Sequence, residues 1–299
     1  TVGLVSLWIG STCCQAQDWA QFRGPGGNGV AAGADNIPTA WSPMANLAWN
    51  TELPGPGASS PIIVGGKVFV TCYSGNGSDA QRQIVCLDAG TGNEIWTDVL
   101  SGSEREDAYE GFLTEHGYAS GTPVSNGKNV YAFFGKAGVA AWTVDGKKKW
   151  QSDVGQMSSN RRWGSGSSPV LHDGVLIVNA SEESRAVIGL DAETGKELWK
   201  AEYDLLELCF ATPVLTKGEG DVMEAVISMP GEVWGLNAMT GKIRWFCEIG
   251  NGGNVSPSVV VGEDAFYTFG GYPAQQTNAI RRGGRRDITE THHLWDSRD

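Results

Sequence analysis

The chain has 299 residues, with 22 Lys and Arg against 34 Asp and Glu, and a formal net charge of −12. An acidic balance of this size disfavours nucleic acid and anionic membrane surfaces as partners. The length exceeds an average domain, but an all-β ring can run this long as one unit.

Val2–Gly10 is an apolar run too short to span a bilayer, so no membrane-spanning segment is expected. Small residues and Gln15-Ala16-Gln17 follow it. Residues 1–16 therefore read as the tail of a secretory signal peptide cut after Ala16, with a short buried strand as the plainer alternative. The missing initiator Met and basic leader make the start look truncated. An extracytoplasmic location, periplasmic or secreted, is expected. Cys13-Cys14 would leave with the signal, and Ser11-Thr12 before Cys13 is a poor lipid-attachment pattern. Residues 17–46, with Pro25, Gly26, Gly27, Gly29 and Gly33, read as an irregular arm lying over the rest. Leu47–Leu53, carrying Trp49, looks like an outer strand with no partner strands before it.

One sentence then recurs. Val187–Trp199 reads V-I-G-L-D-A-E-T-G-K-E-L-W, and close copies are V-C-L-D-A-G-T-G-N-E-I-W (Val85–Trp96) and V-W-G-L-N-A-M-T-G-K-I-R-W (Val233–Trp245). Val139–Trp150 is a looser copy. Gly92, Gly146, Gly195 and Gly241 share one offset, where a hairpin turn needs a positive φ. Asp or Asn at the turn start offers oxygens to turn amides. Trp49, Trp96, Trp150, Trp199, Trp245 and Trp295 recur at intervals of about 50 residues. An indole on an outer strand finds cover only against a neighbouring sheet, so each is expected to dock on the next repeat.

A Ser/Thr-Pro pair opens each repeat: Ser60-Pro61, Thr122-Pro123, Ser168-Pro169, Thr212-Pro213 and Ser256-Pro257. Four short strands per repeat with Gly and Pro turns predict an all-β β-propeller of four-stranded antiparallel blades. A sandwich gives no reason for the period, and a β-helix has a shorter one. Residues 47–299 then hold five blades, at about 58–100, 119–155, 166–203, 208–249 and 254–297, plus the orphan strand. Five blades suggest an incomplete ring of seven or eight. Sealing of blade five by Leu47–Leu53 would remove that expectation.

These repeats and lead-ins are similar to pyrroloquinoline-quinone (PQQ)-type propeller repeats. Such repeats occur in quinoprotein dehydrogenases, in the propeller lipoprotein of the outer-membrane barrel-assembly machinery, and in many secreted proteins. The stretches Asp18-Trp19-x-Gln21-Phe22-Arg23-Gly24-Pro25 and Tyr118–Pro123 resemble the last group, as found in planctomycete-type bacteria. The resemblance spans residues 18–299 and implies fold more than function. In the dehydrogenases it implies a PQQ held by a tryptophan floor and an adjacent-cysteine disulfide, beside a Ca²⁺ bound by Glu, Asn and Asp. Here the only adjacent cysteines are Cys13-Cys14, and no Asp/Glu/Asn cluster matches. No catalytic, cofactor or metal residue is carried over. PQQ and Ca²⁺ belong only to the alternative, a quinoprotein dehydrogenase of alcohols or sugars. The preferred reading is a non-catalytic scaffold for a protein partner in the cell envelope.

Loops between blades usually carry sites. The insertion 101–118 and the loop 158–166 should emerge on one face, bringing together Glu115, His116, Arg161, Arg162 and Trp163. Histidine beside glutamate suits acid–base or metal chemistry, and paired arginines suit a carboxylate or sulfate. An acidic insertion braced by an arginine loop is the structural alternative. The basic run 281–286 is expected at the fifth C–D turn on the other face, free to meet an acidic partner or solvent. His292 and His293 should alternate on the last strand, a poor geometry for a metal. Cys72, Cys86, Cys209 and Cys247 allow three pairings. Cys72–Cys86 is the favoured one, and buried free thiols are equally weighted.

Overall fold

The computed structural model describes residues 18–31, 33, 37–250, 252–271 and 275–298. The signal-like segment and Cys13-Cys14 lie outside them. Each repeat forms one antiparallel meander. Blade one is β1 (Ile62–Val64), β2 (Lys67–Ser74), β3 (Gln81–Asp88) and β4 (Glu94–Ser101). Blade two is β5 (Val124–Ser125), β6 (Asn129–Phe133), β7 (Val139–Thr143) and β8 (Lys148–Ser152). Blade three is β9 (Val170–His172), β10 (Val175–Ala180), β11 (Ala186–Asp191) and β12 (Glu197–Glu202). Blade four is β13 (Val214–Lys217), β14 (Met223–Met229), β15 (Glu232–Asn237) and β16 (Ile243–Glu248). Blade five is β17 (Val260–Val261), β18 (Ala265–Phe269), β19 (Thr277–Arg281) and β21 (His293–Ser297), with β20 (Arg286–Asp287) between the last two in sequence.

The apolar cores lie between sheets. One joins Phe69 and Cys86 of blade one to Val130 and Trp142 of blade two. Others join blades two and three, three and four, and four and five. Each strand's alternation therefore faces a different neighbour on each side.

The recurring sentence has a local cause. The Asp88 carboxylate accepts hydrogen bonds from the Gly90 and Thr91 amides and the Thr91 hydroxyl, and Asp191 repeats the pattern with Glu193 and Thr194. These donors hold both carboxyls below the usual carboxylate range, the Thr hydroxyl contributing most. The turn glycine next to them has positive φ, 74° at Gly92 and 73° at Gly195. It also makes room: a Cβ on Gly92, Gly146, Gly195 or Gly241 would lie under 3 Å from Trp49, Trp96, Trp150 or Trp199. Three of those indoles also donate to a carbonyl of the same turn, Trp49 to Ala89, Trp96 to Val144 and Trp150 to Ala192. Each tryptophan thus sits on the glycine turn of the next blade.

Two tryptophans depart from this. Trp245 is fully buried and stacks on Phe266 of blade five, ring centroids 5.4 Å apart. Its Nε1 donates to the Glu224 carboxylate at 2.8 Å. Trp295 is 48% exposed, and its aromatic neighbour is Tyr267 of its own blade. Docking on a following sheet is therefore not seen for Trp295 among the described residues.

The Ser/Thr-Pro marker also acquires a role. The Ser60 amide donates to Thr122 Oγ1, the Thr122 amide to Ser168 Oγ, and the Ser168 amide to Thr212 Oγ1, at 2.9–3.0 Å. This relay ties the entry to each inner strand to the next. The arm crosses the same region. Trp19 exchanges two backbone hydrogen bonds with Ile63, and Ala20 accepts one from Ser125. Leu47–Leu53 forms no strand; with Trp49 it covers the outer face of blade one and makes no ladder with β21. Sealing of blade five by this segment does not occur.

Three further expectations need correction. Cys72 faces Gln83, while Cys86 faces Phe69, three residues further along the ladder. That is about 10 Å, beyond disulfide reach. The two side chains also enter different cores. All four described cysteines are free and buried, and burial pushes the Cys209 thiol up to about 12. Second, the 281–286 run is no free turn. Arg286–Asp287 pairs in parallel with β16, extending blade four to five strands. Arg282 is spent on Thr216 Oγ1 and on the carbonyls of Lys217, Gly262 and Glu263. Third, His292 ends a short helix, Thr289–His292, and only His293 enters β21.

Candidate functional site

The loops between blades meet on one face, and buried charges hold them there. Arg82 on β3 is 1% exposed and pairs with Glu106 of the 101–118 insertion at 2.8 Å. Its guanidinium lies 4.7 Å over the Tyr118 ring. Lys136, from the β6–β7 connection, pairs with Asp107 at 2.9 Å and donates to Arg105 O and Ser158 Oγ. One cation from blade one and one from blade two thus fold the acidic insertion down onto the ring. Removing either partner would strand a buried charge, which is far costlier than the pair's net contribution.

Of the five residues expected to converge, His116, Arg161 and Trp163 do. His116 Nε2 lies 2.8 Å from the Trp163 carbonyl, which can only accept, so Nε2 carries a proton. Nδ1 lies 2.6 Å from Ser120 Oγ. Burial lowers the pKa of this imidazole, which favours the neutral form with Nδ1 facing the Ser120 hydroxyl. Both nitrogens are therefore engaged, and His116 clamps the insertion to the 158–166 loop. Arg161 lies 5.8 Å over the Trp163 ring. Arg162, at φ 52°, turns into a separate polar cleft. Glu115 is exposed on the short helix Leu113–His116 and lines neither cleft.

The first cleft, about 510 Å³, is lined by Phe112, His116, Trp163, Gly166, Phe210, Asn254 and Ser256. The Phe112 and Trp163 rings are 5.1 Å apart, and Trp163 and Phe210 6.0 Å. Phe112 is 56% exposed. The lining comes from the loops that precede blades two, three, four and five. Phe112, Phe210 and Asn254 were not singled out in the sequence. The signal available was position alone, since Phe210 and Asn254 each lie two residues before a Ser/Thr-Pro marker.

Beneath these loops lies a polar cavity of about 30 Å³, large enough for one water. Glu182 and Glu183, on the helix Ser181–Ser184, line it and are almost completely buried. Burial pushes the Glu183 carboxyl up to about 8, against the opposing hydrogen bond from Ser165. Glu182 is raised by the same cause, and it accepts from Ser159 Oγ at 2.6 Å. Oε1 of Glu182 and Oε2 of Glu183 have no protein partner.

A carboxylate-rich quinone with its Ca²⁺ would need cations and clustered carboxylates. The aromatic cleft has neither in its described lining, and no group of three His, Cys, Asp or Glu among the described residues is placed to hold a metal. The described cysteines include no adjacent pair. The lining of the aromatic cleft therefore does not match that cofactor's needs. Among the described residues, no helix is long and apolar enough to cross a membrane.

Relatives share the architecture. A polyvinylalcohol dehydrogenase from a Pseudomonas species is 24% identical over 276 residues, covering 74% of this chain and 40% of that protein. The chain thus spans well under half of that relative. The crystal structure of BamB from Moraxella catarrhalis superposes with a TM-score of 0.52 at 15% identity, covering 82% of this chain and 74% of that one. The quinohemoprotein alcohol dehydrogenase from Comamonas testosteroni gives 0.55 at 13% identity, covering 76% and 41%. At such identities the structures speak for the fold alone. The family model described as outer membrane protein assembly factor BamB matches residues 25–104 and 80–297. The chain belongs to this family of PQQ-like repeat β-propellers.

Proposed function

We propose that this protein is a non-catalytic, extracytoplasmic scaffold that binds a protein partner on its loop-bearing face. The observation that carries the reading is the aromatic cleft of Phe112, Trp163 and Phe210, open to solvent and built on loops pinned by buried ion pairs. Exposed rings on a preorganised surface lose little entropy on binding, and such anchors dominate protein interfaces. Met157 and Leu205, 48% and 44% exposed, add apolar surface on neighbouring loops of the same face. Family membership with a barrel-assembly factor supports the scaffold class, and the signal-like start supports the compartment.

The test is site-specific photo-crosslinking in envelope preparations from the source cells. A crosslinker at Phe112 is expected to trap a discrete partner, and one at the exposed Thr240 turn is not. Equal labelling from both positions, or none from Phe112, would reject the reading. A parallel assay adds PQQ and Ca²⁺ to the purified protein; dye-linked oxidation of alcohols or sugars would instead establish the dehydrogenase.

A further inference from the structure

The second cleft, about 520 Å³, opens beside the aromatic one, and the 158–166 loop walls both. Its cations are Arg105, Lys136, Arg162 and Arg185; its carboxylates are Glu106, Asp107 and Glu207. Every carboxylate is already engaged. Glu106 serves Arg82, Asp107 serves Lys136, and Glu207 serves Arg185 and the Asn160 amide. The guanidinium groups of Arg105 and Arg162 have no hydrogen-bonded or ion-paired partner among the described residues. A chain of net charge −12 thus keeps a locally cationic cleft.

The backbone adds an independent sign. Arg162 and Arg185 both hold the left-handed conformation, at φ 52° and 50°. Glycine or asparagine would adopt it with less strain. Arg185 spends its side chain on Glu207, whereas Arg162 keeps the left-handed backbone with a guanidinium that meets no partner among the described residues.

The geometry points to a carboxylate-binding subsite formed by Arg105 and Arg162, which takes an Asp or Glu of a partner segment whose neighbouring apolar side chain enters the aromatic cleft. The inference rests on the reading that this face meets a protein. Paired guanidinium forks match carboxylate geometry. A peptide suits the adjoining cleft better than an acidic polysaccharide does. With both His116 nitrogens engaged, only Asn254 and Ser256 among the described lining residues offer free polar side chains, and a sugar's hydroxyls would be left unpaired.

The probe is a phage-displayed random dodecapeptide library selected on the full chain, on an Arg105→Ala/Arg162→Ala variant and on Arg162→Gly. Wild-type selections are expected to enrich Asp or Glu next to Phe, Trp, Leu or Met. The double variant should keep the apolar preference and lose the acidic one. An enriched peptide should bind the double variant about 10- to 100-fold more weakly, the range for hydrogen bonds to charged groups, and its Asp→Asn version should lose as much on the wild type. Arg162→Gly should melt no lower than wild type yet bind more weakly, which a purely structural arginine would not do. Apolar enrichment without acidic enrichment, or the same acidic enrichment on the double variant, overturns the subsite and leaves the scaffold reading standing. Failure to select any peptide, with uronate oligosaccharide binding in the same format, also overturns it in favour of a glycan. Loss of the Phe112 crosslink would remove the scaffold reading itself.

Discussion

Replacing Trp245 by alanine is expected to cost about 4 kcal/mol of unfolding free energy, in the range for a fully buried tryptophan. The ring is 0% exposed and stacks on Phe266 across the blade four–five boundary. Its removal also strips a hydrogen bond from Glu224, a carboxylate with a 2%-exposed side chain that keeps only its Arg244 pair. Trp295→Ala is the matched control: the same residue type closing the same repeat, but 48% exposed. Its cost should be roughly 1–2 kcal/mol. Urea denaturation of both variants measures the difference. Equal costs would mean that contact with the next blade is not what stabilises these rings.

Glu183→Gln is expected to stabilise the fold by roughly 2–4 kcal/mol at pH 8.5 and to change it little at pH 4.5. The Glu183 carboxyl has an ordinary value of 4.5 and is pushed to about 8 by burial. Between those values the folded chain holds a proton that the unfolded chain has released. Stability from this group therefore falls as pH rises from 4.5 to 8, then levels off once both states are ionised. Glutamine reproduces the protonated form, so the variant should show a flatter alkaline limb. Glu182, also raised by burial, contributes in the same direction and remains in both proteins. Asp88 and Asp191, held low by their turn hydrogen bonds, act oppositely and govern the acid limb. Melting temperatures across pH 4–9 decide it. Parallel profiles for the two proteins would show that Glu183 is not protonated in the fold.

What was legible in the sequence follows from how local each feature is. The turn of Asp191, Thr194 and Gly195 and the indole four residues later lie within one hairpin, so spacing alone exposed them. Docking of the tryptophans required only that a large ring on an outer strand be covered. Register was not legible: without knowing that Cys72 faces Gln83 and Cys86 faces Phe69, a bridge between neighbouring strands looked reasonable. The 281–286 run had left the repeat pattern, and nothing local indicated that it would join β16 of the previous blade. The site was half visible. His116 and Trp163 stood out as residue types on two long loops. Phe112 and Phe210 looked like ordinary apolar residues, and they became a cleft only when loops from different blades converged. Lys136 likewise ties the Arg105 carbonyl to Ser158, on the loop that carries Arg162, a link no spacing rule supplies.

The claim on which the functional reading depends is that this face is fixed before any partner arrives. Hydrogen exchange on the free protein tests it most directly. The amides of Gly117, Met157 and Phe210 donate to Leu113 O, Glu183 O and Val255 O at 2.8–2.9 Å, and each belongs to a loop bordering one of the two clefts or to the cluster beneath them. They should exchange within about a hundredfold of the β10 and β11 amides, as expected for one cooperative unit. Exchange of these loop amides at the rate of an unstructured peptide, with the blades still protected, would contradict the account.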